Sequence, residues 1–216
     1  MNWALVLFGS YFLGAVPFGV LIARMKGVDI TKVGSGNIGA TNVQRALGKK
    51  LGLLVFLLDL LKGFLPAIVG HLLFGTKEAA GLAGVCAVAG HCLSPFLGFK
   101  GGKGISTGLG VLLGTSPLVG LSTFVIFAIL TKLTGYVSLG SMLTSVALIP
   151  LGFAFGDPQA VIVAYGVFAL FVIYRHRANV ERLRAGTEPK FTWVKDKTSS
   201  EPAEPSNLVA TETKPG

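Results

Sequence analysis

The sequence predicts an all-α fold, a polytopic integral membrane helical bundle of about seven transmembrane helices, one of them short. Its N-terminus is expected outside and its C-terminus in the cytoplasm. Three observations lead there. The 216 residues are 51% hydrophobic, with a mean hydropathy of +0.69. Only 13% are charged, against about 25% in a soluble domain. Apolar runs of roughly 17 to 24 residues, the length that crosses a bilayer core, recur from end to end. No polar linker divides them, so residues 1–195 read as one membrane domain.

Residues 2–23 form the first run. Arg24 and Lys26 follow it rather than precede it, which predicts a retained anchor and not a cleaved signal peptide. Gly14, Pro17 and Gly19 predict a bent, closely packed helix. Residues 51–74 form the second span and carry Asp59 and Lys62 on one helical face. Two readings of that pair stand, a mutual ion pair or part of a site. A short outer turn at 75–78 leads to the third span, residues 79–97, broken near its end by Pro95. Residues 105–113 are too short to cross about 30 Å at about 1.5 Å per residue. That segment is therefore tilted, re-entrant or continued through 114–117. Residues 118–130, a polar turn at 131–141, residues 142–155, a turn at Gly156-Asp157-Pro158 and residues 159–174 complete the spans. The basic segment 175–184 is expected to extend the last helix until Gly186 stops it, with its charges on anionic headgroups. Residues 196–216 are Pro, Glu, Ser and Thr without periodicity, which predicts a disordered tail.

Charge fixes the expected orientation. With seven spans, Arg24, Lys26, Lys32, Arg45, Lys49, Lys50, Lys100, Lys103, Lys132 and the arginines from 175 onward fall inside, and Lys77 alone falls in an outer loop. Two glycine-rich loops then share the cytoplasmic face. One runs Pro95-Phe-Leu-Gly-Phe-Lys100-Gly-Gly-Lys103-Gly-Ile-Ser106-Thr107-Gly. Without Cβ atoms, Gly101, Gly102 and Gly104 let the backbone turn sharply and aim N–H groups at one anion beside Lys103. Ser106 and Thr107 are expected to cap the following helix. The loop is not a nucleotide P-loop, because Gly104 follows Lys103 where Ser or Thr is required.

The other loop, residues 34–45, offers Gly34, Ser35, Asn37, Thr41, Asn42 and Arg45. Ser141, His176 and Asn179 join the inventory from later loops. The set is rich in donors and cations and nearly free of carboxylates, with Asp59 and Glu181 the nearest acids. That excludes a Mg²⁺ site built from carboxylates. His71, His91 and His176 are too scattered for zinc, so neither metal nor cofactor is expected. A donor-rich pocket beside apolar helices suits a ligand with a phosphate head and an apolar tail. A membrane transporter of phosphate or a small organic anion would use similar parts. It usually shows two repeated halves, and here there is only a faint likeness of 34–41 to 102–107.

Four ordered motifs, Gly34-Ser-Gly-Asn37-Ile-Gly-Ala-Thr41-Asn42-Val-Gln-Arg45, Leu58-Asp59-Leu-Leu-Lys62-Gly63, Gly90-His91 with Phe99-Lys100-Gly-Gly-Lys103-Gly, and His176-Arg-Ala-Asn179, resemble the bacterial acyl-phosphate:glycerol-3-phosphate acyltransferases. The resemblance covers about residues 1–191. It implies a multi-pass enzyme of the bacterial inner membrane, with its active site facing the cytoplasm, that moves a fatty acyl group from acyl phosphate to the C1 hydroxyl of sn-glycerol 3-phosphate. Lysophosphatidic acid and phosphate would be the products, in the first step of phospholipid biosynthesis. Its partners would be the two substrates, the bilayer and the enzyme that makes acyl phosphate, with no nucleic acid. Acyl phosphate is an activated mixed anhydride, so positioning and charge neutralisation suffice without a metal or covalent intermediate. On this reading Ser35, Arg45 and His176 contact the phosphate of glycerol 3-phosphate. Gly101, Gly102, Lys103 and Gly104 cradle the acyl phosphate. Gly34, Asn37, Thr41, Asn42, Ser141 and Asn179 complete the binding. The base is His176, whose imidazole has a suitable ordinary pKa, or a substrate phosphate oxygen. The chain departs from the family at Ala178, where Glu is frequent.

Overall fold

The structure, a computed structural model, describes residues 2–191. The tail expected at 196–216 lies outside the described residues, as does the end of the domain expected at 1–195. Ten α-helices and no strand occur among the described residues. They are α1 (Trp3–Ala15), α2 (Phe18–Arg24), α3 (Ala40–Leu47), α4 (Lys49–Phe74), α5 (Lys77–Cys92), α6 (Ile105–Thr115), α7 (Pro117–Thr134), α8 (Val137–Ala154), α9 (Gln159–Arg175) and α10 (Arg177–Arg184). Five stretches are long and apolar enough to cross a membrane, and a sixth if α9 and α10, bent by 56°, count as one. The eleven residues of α6 extend the expected short segment to Thr115, still only about 16 Å of helix.

Each break has a local cause. The first run divides at Val16 and Pro17, where proline removes a helical donor. The carbonyls left open there are filled from elsewhere in the bundle. Ser94 donates to the Ala15 carbonyl (2.7 Å) and the Lys62 ammonium to that of Val16 (2.8 Å). Of the two readings of Asp59 and Lys62, the ion pair forms, at 2.7 Å with both side chains buried. It also pins the bend of the first span. α5 ends at Cys92, before the short 3₁₀ turn Pro95–Leu97. The polar turn expected at 131–141 is mostly helix. Left-handed Gly135 (φ +78°) and extended Tyr136 reverse the chain in two residues, which places Ser138 and Ser141 on α8.

Glycines set the closest helix approaches. A Cβ on Gly63 of α4 would overlap the Thr107 carbonyl of α6, and one on Gly110 of α6 would overlap the Leu60 carbonyl of α4. Gly14 and Gly90 do the same between α1 and α5. Gly63→Ala must push α6 away and is expected to destabilise the protein by about 1–3 kcal/mol, the usual range for overpacking. A lowered thermal midpoint in detergent checks this.

Polar contacts gather at the two ends of the bundle. At one end Asp157, its side chain wholly buried, accepts from Lys77 (2.7 Å), Ser116 (2.6 Å) and Tyr165 (2.8 Å). This joins α5, the α6–α7 break and α9. The glycine loops, the start of α8 and the α9–α10 corner meet at the other end.

Candidate active site

The loop of residues 34–45 is held from within. Gly34 (φ +60°) and Gly36 (φ +67°) adopt left-handed turns. The buried Asn42 reaches back from α3 and accepts the Ser35 N–H (3.0 Å). Its amide donates to the carbonyls of Val33 (2.9 Å) and Asn37 (2.8 Å), with a longer contact to Ile30 (3.2 Å). Asn37 in turn accepts the Gly39 N–H at the start of α3 (3.0 Å). Thus Asn37 and Asn42 are engaged by the loop itself. Thr41 is half-buried beside them, whereas Ser35 and Arg45 stay exposed at the surface they shape.

The second glycine loop differs from the cradle the sequence predicts. The Gly101 N–H donates to the Cys92 carbonyl (3.0 Å) and the Gly102 N–H to that of His91 (3.1 Å). Neither amide is free for an anion. Both glycines are required by closeness, because a Cβ on Gly101 would overlap the His91 carbonyl and one on Gly102 the His91 ring. Ser106 and Thr107 do not cap α6. Gly104 occupies the cap position in a left-handed conformation (φ +80°), which places both residues inside the first turn. Thr107 is buried against Gly63. The N–H groups of 103–107 donate to no described residue and lie at the positive end of the α6 dipole.

Lys103 leaves this turn toward α10 and bonds the Asn179 side-chain oxygen. The Asn179 amide donates to Glu188 (2.7 Å), which also accepts from Ser138 (2.7 Å) and Arg182 (2.7 Å). Arg45 donates to the neighbouring carbonyl of Pro189 (3.1 Å). The expectation of a pocket nearly free of carboxylates is therefore corrected. Glu188 sits within it, while Glu181 is exposed on α10 and Asp59 lies in the span. Burial alone would raise the Glu188 carboxyl, but its three donors hold it below the usual range. Glu188 follows the helix stop at Gly186 by two residues, a lone acid after a basic helix. That was its only sequence signal, and Ser138 and Arg182 were missed with it.

Burial pushes Lys103 down to about 8; Glu188 opposes the shift, and Arg182, Arg175 and Arg45 add to it. His176, buried at the α9–α10 bend, is pushed down to about 4 by burial and then by Lys103. The His176 imidazole is thus neutral at pH 7. Its Nδ1 lies 2.8 Å from the Val172 carbonyl, which can only accept, so Nδ1 carries the proton and Nε2 the lone pair. Ser141 is buried on α8, one turn beyond Ser138. Its hydroxyl donates to the Val137 carbonyl (2.8 Å). It lines a cavity of about 50 Å³ with Ile105, Leu109, Thr144, Leu148 and Phe168. No group of three His, Cys, Asp or Glu able to hold a metal occurs among the described residues.

Known proteins resemble this chain in sequence and in fold. The family model described as glycerol-3-phosphate acyltransferase matches residues 4–186. A glycerol-3-phosphate acyltransferase of Aquifex aeolicus is 46% identical over 188 residues, covering 87% of this chain and 97% of its own. That of Desulfotalea psychrophila is 47% identical over 191 residues, covering 86% and 95%. Among solved structures, the glycerol 3-phosphate form of PlsY, an integral membrane glycerol 3-phosphate acyltransferase, superposes with a TM-score of 0.85 at 43% identity. The match covers 88% of this chain and 96% of that one. Its lysophosphatidic acid form gives a TM-score of 0.82 over 88% and 95%. On these grounds the chain belongs to the glycerol-3-phosphate acyltransferase family.

Proposed function

We propose that the protein transfers a fatty acyl group from acyl phosphate to the C1 hydroxyl of sn-glycerol 3-phosphate, giving lysophosphatidic acid and phosphate. The observation that carries this is a cationic cluster beside an apolar cavity. Arg45, Arg175 and Arg182 lie near Lys103, and among them stands the carboxylate of Glu188, bonded by Arg182, so positive charge is in surplus where an anion would bind. The cavity begins at Ile105, two residues beyond Lys103, where an alkyl chain can enter as the phosphate head meets the cations. Two substrate dianions repel one another, and holding both close is the main task of such a site.

The chemistry needs few further parts. The glycerol C1 oxygen attacks the acyl carbon, the carbonyl oxygen becomes an oxyanion, and the bond to the phosphate oxygen breaks. Lys103 and the free N–H groups of 103–107 stabilise the charge on the donor. Arg45 and Ser35, at the mouth of the other loop, take the phosphate of glycerol 3-phosphate, with His176 and Asn179 behind them. The hydroxyl proton passes to a phosphate oxygen. His176 at about 4 is a weak base before substrate binds, although nearby phosphate charge raises it. Gly34, Thr41 and Asn42 shape the acceptor loop, and Ser141 belongs to the wall of the chain cavity.

The basic residues at the site end, against Lys77 at the other end, support a cytoplasmic site in a bacterial inner membrane. Such a product would enter phospholipid biosynthesis. The enzyme that makes acyl phosphate is the natural neighbour, because a reactive anhydride benefits from direct delivery. Purified protein supplied with glycerol 3-phosphate is expected to use acyl phosphate, ignore acyl-CoA, and keep its rate in EDTA. A comparable rate with acyl-CoA, or loss of activity on chelation restored by Mg²⁺, would sink this reading.

A further inference from the structure

We propose that Arg175 is a positioning residue that sets the glycine loop in register with the α9–α10 corner, so that Lys103 faces both substrates. This rests on the reading that Lys103 and the start of α6 receive the acyl phosphate.

Arg175 is the last residue of α9, and by sequence it is a headgroup-facing cation. Instead it turns inward. One guanidinium nitrogen donates to the carbonyls of Gly101 (2.8 Å) and Gly102 (2.7 Å). The N–H groups of the same two glycines are held from elsewhere, by the Cys92 and His91 carbonyls. The backbone just before Lys103 is thus gripped through its carbonyls by α9 and through its amides by the end of α5. The His91 ring lies where a Gly102 side chain would be, leaving the loop no room to slide.

The corner that supplies Arg175 also supplies Asn179, four residues on, which takes the Lys103 ammonium. One corner therefore holds Lys103 twice, by its preceding main chain and by its side chain. The two tethers differ in what substrate can do to them. An incoming phosphate competes with Asn179 for the ammonium, whereas nothing in the reaction competes for the Gly101 and Gly102 carbonyls. The Arg175 contact persists through the cycle and fixes where Lys103 and the open amides of 103–107 point. A guanidinium suits the task because it stays charged when half-buried and carries several donors in a rigid plane. The same corner leads to Glu188, Pro189 and thereby Arg45. Arg175 consequently registers the donor loop against the acceptor loop.

The test uses full-length enzyme in detergent at matched, verified amounts, comparing Arg175→Ala and Arg175→Lys with the unaltered protein. Arg175→Ala is expected to lose about 10–100-fold in kcat/KM for acyl phosphate, with KM for glycerol 3-phosphate changed less than about twofold. Guanidinium chloride at low millimolar concentration, too dilute to unfold the protein, should restore part of that loss. Arg175→Lys, which keeps a charge on a differently shaped stem, should fall between. A structural role alone would raise both KM values together and give no guanidinium rescue, and that result overturns the proposal. So would donor kinetics unchanged in both variants. Failure of the donor reading shows separately, as an unaltered enzyme that does not use acyl phosphate.

Discussion

Lys103→Ala is expected to lower kcat/KM for acyl phosphate by on the order of 10–100-fold, equivalent to losing a charged hydrogen bond of about 1.5–3 kcal/mol. Arg45→Lys should do something different. It keeps the charge but loses the planar fork that suits a phosphate, so KM for glycerol 3-phosphate rises while the donor is spared. The two residues stand on separate elements, Arg45 on α3 and Lys103 before α6, and hydrogen bonds link them through the segment at Glu188 and Pro189. Steady-state kinetics with each substrate varied in turn decides the matter. Equal effects of both changes on both substrates would refute the division.

The same lysine gives a pH signature. With Lys103 lowered to about 8, its ammonium is lost as pH rises through that value. The profile of kcat/KM for the donor reports the free enzyme, and it should fall above about pH 8. Lys103→Arg, which does not titrate in this range, should remove that limb.

The fold was legible where a rule of length applied. Residues 51–74 had to be a span on apolar length alone, and α4 begins only two residues earlier. The bend at Pro17 and the stop at Gly186 follow from residues with one conformational meaning. What failed was partner choice. Gly101 and Gly102 permit an anion cradle, yet permission says nothing of which acceptor their amides meet. Here His91 and Cys92 carbonyls, freed as α5 ends, are nearer than any ligand. Arg175 could not be oriented from the sequence, because its inward direction depends on how α9 ends at the 56° bend. The polar stretch 131–141 reads as a loop by composition, whereas Gly135 allows a two-residue reversal and the serines become buried helix. Glu188 lies in a short stretch without periodicity, where a local pattern carries no information about burial.

Glu188 is also a residue whose loss should be costly in stability. Its carboxylate takes one bond each from Ser138, Asn179 and Arg182, and its side chain is 5% exposed. Glu188→Ala leaves those donors facing a void. Breaking a buried pair typically costs about 3–5 kcal/mol. Since the Arg182 side chain keeps 32% exposure, the low end, about 3 kcal/mol, is expected. Glu188→Gln keeps the shape but presents an amide donor to one of the existing donors, so it should also lower the thermal midpoint, by less. The pH dependence has a definite sign. The folded carboxyl lies below its ordinary value, so its contribution is complete above the unfolded carboxyl's range and is lost as pH falls through the lowered folded value. A second readout separates electrostatics from packing. Glu188 opposes the fall in the Lys103 pKa, so removing its charge lowers that pKa further, and the alkaline limb for the acyl donor should move below about pH 8 in Glu188→Gln. An unmoved limb with a lowered midpoint would make Glu188 a structural tie alone, and an unmoved midpoint would contradict the buried network itself.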